Sequence, residues 1–225
     1  MFLRIFFLVL VISISAIISP VTAQSEDGNT TLARLKYQGG GDWYNDPSAL
    51  TNLIRFAKSN YDLPVTNKYD NVDVGSSDLF IYPFAFLTGH GNVTMNRAER
   101  ENLSKWLKRG GFLFIDDDYG LDEYIRPLLN NLIEDSKLVE LPFEHQVYQR
   151  PFSFPDGLPK IHEHDGKAPQ GFALFYEGRM VLFYAYESNL GDGWADPEIH
   201  NTPSSLRTQA LRMGTNLLMF ALVGG

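Results

Sequence analysis

Three consecutive aspartates, Asp116-Asp117-Asp118, end an apolar run, Phe112-Leu113-Phe114-Ile115. Carboxylates this close raise one another's pKa unless a cation or N–H donors compensate. A hard divalent cation on Asp116 and Asp117 would resolve the conflict, with His90 or His145 completing a mixed ligand set. Alternatively, one aspartate caps the following helix and the others face water. His90 stands between Gly89 and Gly91, where the backbone allows close approach and an imidazole could polarise a bound oxygen. A turn histidine with no chemical role is the plain alternative. His145 follows Pro142-Phe143-Glu144 and would have to fold back over the site. Asp116, Asp117, His90 and His145 thus form the candidate catalytic set, with Asp116 and Asp117 as the candidate metal ligands. His162 and His164 flank Glu163, but alternation in an extended chain sends them to opposite faces, a poor geometry for one metal.

A second set suits ligand binding. Asp42-Trp43 and Asp192 with Trp194 pair an acid with an indole, as a sugar site needs for hydroxyl bonding and ring stacking. Structural lids are the alternative role for such aromatics. A carboxylate pair could also do glycosidic acid–base work at a suitable separation. Other chemistries are excluded. Gly39-Gly40-Gly41 lacks the Lys-Ser/Thr of a P-loop and the spacing of a dinucleotide fingerprint. No Gly-x-Ser-x-Gly elbow occurs, and the absence of cysteine removes thiolate nucleophiles and thiolate metal sites.

The elements that must position these residues follow from periodicity. Thr31 to Tyr37 reads as a first strand and Asp46-Pro47 as a helix start, with Leu50, Leu53, Ile54 and Ala57 on one face. Val65 and Val72–Val74 suggest a second strand region. Asp78 to Leu87 reads as a buried strand ending or bulging at Pro83. Asn96 and Glu99 have capping-box spacing before a helix that buries Leu103, Trp106 and Leu107. Phe112–Ile115 is a further buried strand, and a stripe from Leu121 to Ile133 is helical, with a kink or late start at Pro127. Lys137 to Leu141 suits a strand, and 142–170 reads as a long ordered loop. Glu177-Gly178 turns a hairpin, Ser188 to Pro203 reads as a polar loop, and a last helix runs from about Ser204 to Leu222. This order predicts an α/β fold: a mainly parallel sheet, helices on both faces and a C-terminal antiparallel hairpin. Ligands then bind beyond the carboxyl ends of the strands. There Gly39–Asp46, Thr88–Asn92, Asp116–Gly120 and Glu187–Asp196 should converge.

Arg4, an apolar run from Ile5 to Ile18, and small residues at Val21 and Ala23 predict a signal peptide, 1–23, cut before Gln24. The run is shorter than the roughly 20 residues a membrane-spanning helix needs. An uncleaved anchor is the alternative; a cysteine-anchored lipoprotein is excluded. A polar lead, 24–30, then precedes one domain, 31–225. Losing the leader removes one Arg, leaving 18 basic and 27 acidic side chains, a net charge of −9. Such a surface repels nucleic acid and anionic lipid. The expected protein is secreted or periplasmic and has no stable anchor after cleavage. Its 202 residues suffice to bury a core without disulfides.

Three strings resemble the bacterial family called domain of unknown function 4159: Tyr37-Gln38-Gly39-Gly40-Gly41-Asp42-Trp43-Tyr44, Tyr82 to Gly91, and Gly110-Gly111-Phe112-Leu113-Phe114-Ile115-Asp116-Asp117. The resemblance covers roughly Thr31 to Val223. The Gly-Gly-Phe-Leu string with its following acid also resembles the trehalose-utilisation family, which shares the fold of class I glutamine amidotransferases. That resemblance implies a flavodoxin-like sheet. The amidotransferase nucleophile is a cysteine at a strand-to-helix elbow, where this chain carries Asp116 or Asp117, so glutaminase chemistry does not transfer. Two functions are consistent with these residues. One is a non-catalytic module that binds a ligand, glycan or partner protein with its loop end. The other is a metal-assisted or carboxylate-based hydrolase, acting on carbohydrate. A divalent metal is the expected cofactor in the second case.

Overall fold

The computed structural model describes residues 29–224, so residues 1–23, expected to be a signal peptide, and most of the expected polar lead lie outside the described residues. In chain order the elements are β1 (Thr30–Lys36), α1 (Ala49–Asn60), β2 (Val65–Asp73), β3 (Phe84–Leu87), α2 (Arg97–Lys108), β4 (Phe112–Asp116), α3 (Asp122–Leu129), β5 (Val139–Glu140), β6 (Gln170–Tyr176), β7 (Arg179–Tyr186), α4 (Leu190–Trp194), α5 (Pro197–His200) and α6 (Ser204–Val223). The sheet has seven strands in the order β2-β1-β3-β4-β7-β6-β5. β2, β1, β3, β4 and β7 are mutually parallel; β6 runs antiparallel to both β7 and β5. The fold is therefore the expected flavodoxin-like α/β arrangement with its late hairpin.

Alternation along the central strands divides the core between the two faces. Phe84, Phe86, Phe112 and Phe114 pack toward α1 and α6, whereas Ala85, Leu87, Leu113 and Ile115 pack with Leu103, Trp106, Ile125 and Leu129 of α2 and α3. Phe86 stacks on Phe114 at 5.5 Å, and Trp194 covers both rings at 5.4 and 5.5 Å. The capping box at Asn96 and Glu99 forms as expected, with both reciprocal bonds made. Glu177 and Gly178 take positive φ in the hairpin turn between β6 and β7.

Four elements differ from the sequence reading. Helix α1 starts at Ala49 instead of Asp46-Pro47, because Asp46 takes a left-handed conformation and turns its side chain to His200. The run from Asp78 is a strand only from Phe84. Pro83 has no N–H for the ladder, and its carbonyl instead accepts from Phe112 N–H. The helical stripe to Ile133 ends at Leu129, and Leu132 and Ile133 are buried from turns beyond it. Residues 188–203 are not one polar loop: Leu190–Trp194 and Pro197–His200 form α4 and α5, and every residue from Ser188 to Ala195 is buried whereas Pro197 to Ile199 are exposed.

Candidate functional site

The chain passes from β1 outward to β2 and back to β3, so strand order reverses between β1 and β3, where open sheets of this kind bind ligands. The loops leaving β1, β3, β4 and β7 do meet there. Asp42 receives the His90 backbone N–H at 2.6 Å and holds His90 Nδ1 at 3.0 Å. Gly89 makes this approach feasible: its φ is +141°, and a Cβ would lie 2.2 Å from Tyr37 Oη. The other ring nitrogen, His90 Nε2, lies 3.3 Å from Asp118 Oδ2. Asp118 Oδ1 accepts from Asn189 Nδ2 at 2.8 Å, and Asn45 Nδ2 donates to Oδ2. Asn189 Nδ2 also reaches Asp192 Oδ2 at 3.2 Å. Asp192 in turn meets His162 Nδ1 at 2.5 Å and His200 Nε2 at 3.5 Å, and His200 Nε2 is 2.7 Å from Asp46 Oδ1.

Four carboxylates and three imidazoles thus share one end of the sheet. Asp118 and Asp192 are buried, their side chains only 5% and 4% exposed, whereas His90 is half exposed at the mouth. Among the described residues, no Lys or Arg pairs with Asp42, Asp46, Asp118 or Asp192. Burial, then Asp192, pushes the Asp118 carboxyl up to about 7, although His90 opposes this. Burial raises Asp46 as well, against its bond to His200. Burial alone would lower His90 and His200, but facing carboxylates raise both overall. One carboxylate oxygen each from Asp46, Asp118 and Asp192 lie within 4.8 Å of one another, close enough to hold one ion. Two amide oxygens at this centre, Asn45 Oδ1 and Asn189 Oδ1, are buried without a hydrogen-bond partner. A cavity of about 240 Å³ opens beside Asp118, with Tyr119, Asp122, His164, Lys167 and Tyr186 in its walls.

The residues singled out from the sequence divide sharply. Asp42, His90 and Asp192 are in the centre. Asp116 is fully buried at its edge and is engaged by the backbone, accepting from Leu190 N–H at 3.2 Å and Gly191 N–H at 2.6 Å at the start of α4. Burial holds its pKa well above the usual range, against those two N–H bonds. Asp117 caps α3 through Leu121 N–H at 3.0 Å, and burial with nearby Asp122 raises it to about 6. Capping of the following helix therefore describes Asp117 alone; Asp116 serves α4 instead, none of the three faces water, and Asp118 is the member of the triplet that faces the centre. His145 is at the opposite end of the sheet, beside Gly110, Phe112 and Phe220. The loop after β5 carries it there because burial of Val147 and Tyr148 draws the chain across the α6 face. Trp194 is completely buried over Phe86 and Phe114, its Nε1–H donating to Ala210 O, so it offers no ring to a ligand. Trp43 stays at the rim, with the Arg34 guanidinium 5.4 Å from its ring centroid.

Asp46, His162, His200, Asn45 and Asn189 were missed. The Asp46-Pro47 pattern predicts a helix cap, whereas Asp46 bonds to His200. Alternation sets His162 only against His164, whereas its partner is Asp192, 30 positions later. The one local signal was the Asn45-Asp46-Pro47 turn, whose acid is left free by a helix that starts later.

No curated protein matches this chain. The family description "Domain of unknown function (DUF4159)" matches residues 31–222, nearly the whole of the described structure. The strings at Tyr37–Tyr44, Tyr82–Gly91 and Gly110–Asp117 lie within that span, and the first two supply Asp42 and His90. The chain belongs to the DUF4159 family.

Proposed function

We propose that this chain is an exported binding domain whose loop end holds a divalent cation through Asp46, Asp118 and Asp192, and through the ion an oxygen-rich ligand. The observation that carries this reading is the pair of buried, idle amide oxygens. Asn45 and Asn189 both turn Nδ2 toward Asp118 and leave Oδ1 without a partner. An unpaired buried acceptor costs about 1–3 kcal/mol. Rotating each amide by half a turn would present its oxygen to an ion seated among the carboxylates. Oxygen donors of this kind suit a hard cation such as Mg²⁺, Mn²⁺ or Ca²⁺. The cavity beside Asp118 gives a ligand room. Its acidic walls, with the net charge of the chain, favour a neutral polyhydroxylated ligand such as a glycan over a nucleic acid.

Chelator-stripped protein should bind one Mn²⁺ per chain at this site by calorimetry, and Asp118→Asn should abolish that binding. The ion-loaded protein should then retain glycans on an array that the stripped protein does not. Unchanged Mn²⁺ binding in Asp118→Asn would refute the site.

A second reading, hydrolysis, is favoured by the grip of Asp42 on both the ring and the backbone of His90. An imidazole oriented through Nδ1 leaves Nε2 facing Asp118, where it could take a proton from an attacking water. His90→Gln that keeps Mn²⁺ binding but loses ester or glycoside turnover would favour hydrolysis, whereas a wild type with no turnover favours binding alone.

The export part rests on residues 1–23, whose product should begin at Gln24 on N-terminal sequencing. Among the described residues, no helix is long and apolar enough to cross a membrane. The kinship with the trehalose-utilisation and glutamine amidotransferase fold is also part of this reading; it is supported by the sheet order alone and brings no cysteine chemistry.

A further inference from the structure

Asp192 belongs to two ligand clusters at once. Its carboxylate groups with Asp46 and Asp118, and separately with His162 and His200, each set lying within 4.8 Å. The two histidines reach it from different segments and meet different oxygens. His162 Nδ1 lies 2.5 Å from Oδ2. His200 Nε2, which is 2.7 Å from Asp46 Oδ1, lies 3.5 Å from Oδ1 of Asp192, so an ion on that nitrogen would replace its contact with Asp46. Their rings stand at 84° with centroids 5.5 Å apart, an edge contact that leaves a nitrogen of each within reach of the Asp192 carboxylate. Both positions are built into the fold. Ile161 N–H donates to Ser188 O at 2.9 Å and Ser188 Oγ–H to Pro159 O at 2.7 Å, which pins the His162 segment to the chain leaving β7. His200 ends α5, which opens on Pro197 and closes on left-handed Asn201.

We infer that His162, His200 and Asp192 form a second cation site of different chemistry, selective for a borderline ion of the zinc type, with Asp192 bridging it to the oxygen site. Two imidazoles and one carboxylate suit Zn²⁺ or Co²⁺ and are poorly matched to Mg²⁺ or Ca²⁺. Three protein ligands leave a fourth position open, the pattern of zinc sites that act on a ligand. The open side is accessible, since the His162 and His200 side chains are 37% and 23% exposed. A shared carboxylate puts two ions within the roughly 3.5–4 Å that paired-metal centres use to clamp two oxygens of one ligand. The ligand class is thus narrowed to molecules that present two adjacent oxygens. The bridge rests on the oxygen-site reading above; the histidine triad does not.

The test uses the full mature chain, stripped with chelator and titrated with Zn²⁺ and Co²⁺ by calorimetry and visible absorption. Two ions should bind per chain, and the Co²⁺ spectrum should have the intense visible bands of a low-coordinate nitrogen-ligated ion. His162→Ala and His200→Ala should each weaken the zinc-type site by more than about 100-fold, since even outer-shell partners are worth 10–100-fold. Both variants should keep one Mn²⁺ at the oxygen site, the remote His145→Ala should change nothing, and Asp192→Asn should lose both ions. Circular dichroism checks the fold of the variants, and the wild-type Co²⁺ spectrum decides without any of them. One Zn²⁺ that survives both histidine substitutions, or a weak all-oxygen Co²⁺ spectrum, overturns the inference and leaves the oxygen site standing. Zn²⁺ held by the histidines with Mn²⁺ bound nowhere refutes the oxygen site and, with it, the bridge.

Discussion

His90 Nε2 lies 3.3 Å from Asp118 Oδ2 while its Nδ1 is held 3.0 Å from Asp42 Oδ2, so one half-exposed imidazole ties together the loops after β1, β3 and β4. The imidazole offsets part of the charge on Asp118 and leaves Asp46 and Asp192 to be offset by His200 and His162. This balance holds only while His90 and His200 carry protons.

Stability without a divalent ion should therefore fall as pH rises. Asp117 and Asp118 titrate near 6 and 7 in the folded chain, above an unfolded value near 4, so the unfolded state ionises first and gains over this window. The raised values of His90 and His200 act in the same direction: the stability they add is full below about pH 6.5 and is lost as pH passes their folded pKa. Glu187 works the other way; although burial pushes it up, Lys160 holds it low overall. The melting temperature of chelated protein should drop between pH 5 and pH 8, and Mn²⁺ should reverse the drop. A melting temperature that rises over this range would contradict the reading.

Asp118→Asn should stabilise the chelated protein at pH 8, because it removes one buried like charge and keeps the shape. The same substitution should cancel stabilisation by Mn²⁺, which amounts to about 2.7 kcal/mol for wild type at 100 times the dissociation constant. Thermal melts of both proteins with and without ion measure the crossover.

Asp116→Ala should behave in the opposite sense. It strips two backbone N–H groups at the start of α4 of their acceptor, at about 1–3 kcal/mol each, and should leave Mn²⁺ affinity within a few-fold if the protein folds. His145→Ala should leave ion binding unchanged. Large loss of affinity in His145→Ala would return that residue to the site.

Gly89→Ala should disorganise the mouth of the site. The new Cβ meets Tyr37 Oη at 2.2 Å and the backbone must hold φ near +141°, so destabilisation of roughly 1–3 kcal/mol is expected. The His90 imidazole should lose its contact with Asp42, read as an NMR shift of the ring resonances.

Leu113→Ala tests the centre of the sheet. Leu113 is fully buried between Ala85 of β3 and Leu182 of β7, and its loss should cost about 2–5 kcal/mol in denaturant unfolding. A cost below about 0.5 kcal/mol would mean that β4 is not the central strand.

Much of the scaffold was readable because its signals are local. Buried strand Phe112–Ile115, the capping box at Asn96 and the Glu177-Gly178 turn each depend on neighbours within a few residues, and each forms where the pattern put it. The convergence of four loops at one end was also readable, since strand direction follows from element order. The first half of segment 188–203 misled because its polar composition suggested solvent, whereas Asp116 and the α6 face bury Ser188 to Ala195.

The division of labour inside Asp116-Asp117-Asp118 illustrates the limit. Sequence alone determined that three carboxylates leave a buried strand and that some partner must offset them. Which partner each one takes was decided by tertiary structure. The N–H groups that engage Asp116 come from Leu190 and Gly191, over 70 positions away, and the amides on Asp118 come from Asn45 and Asn189. The same holds for His162 and His200, which are 38 positions apart and meet only because both pack against Asp192. Hydrogen bonds and ion contacts act over about 3 Å, whereas periodicity reports only which face a residue occupies. Packing of the loops therefore selects the free carboxylate, and no pattern within the chain carries that choice.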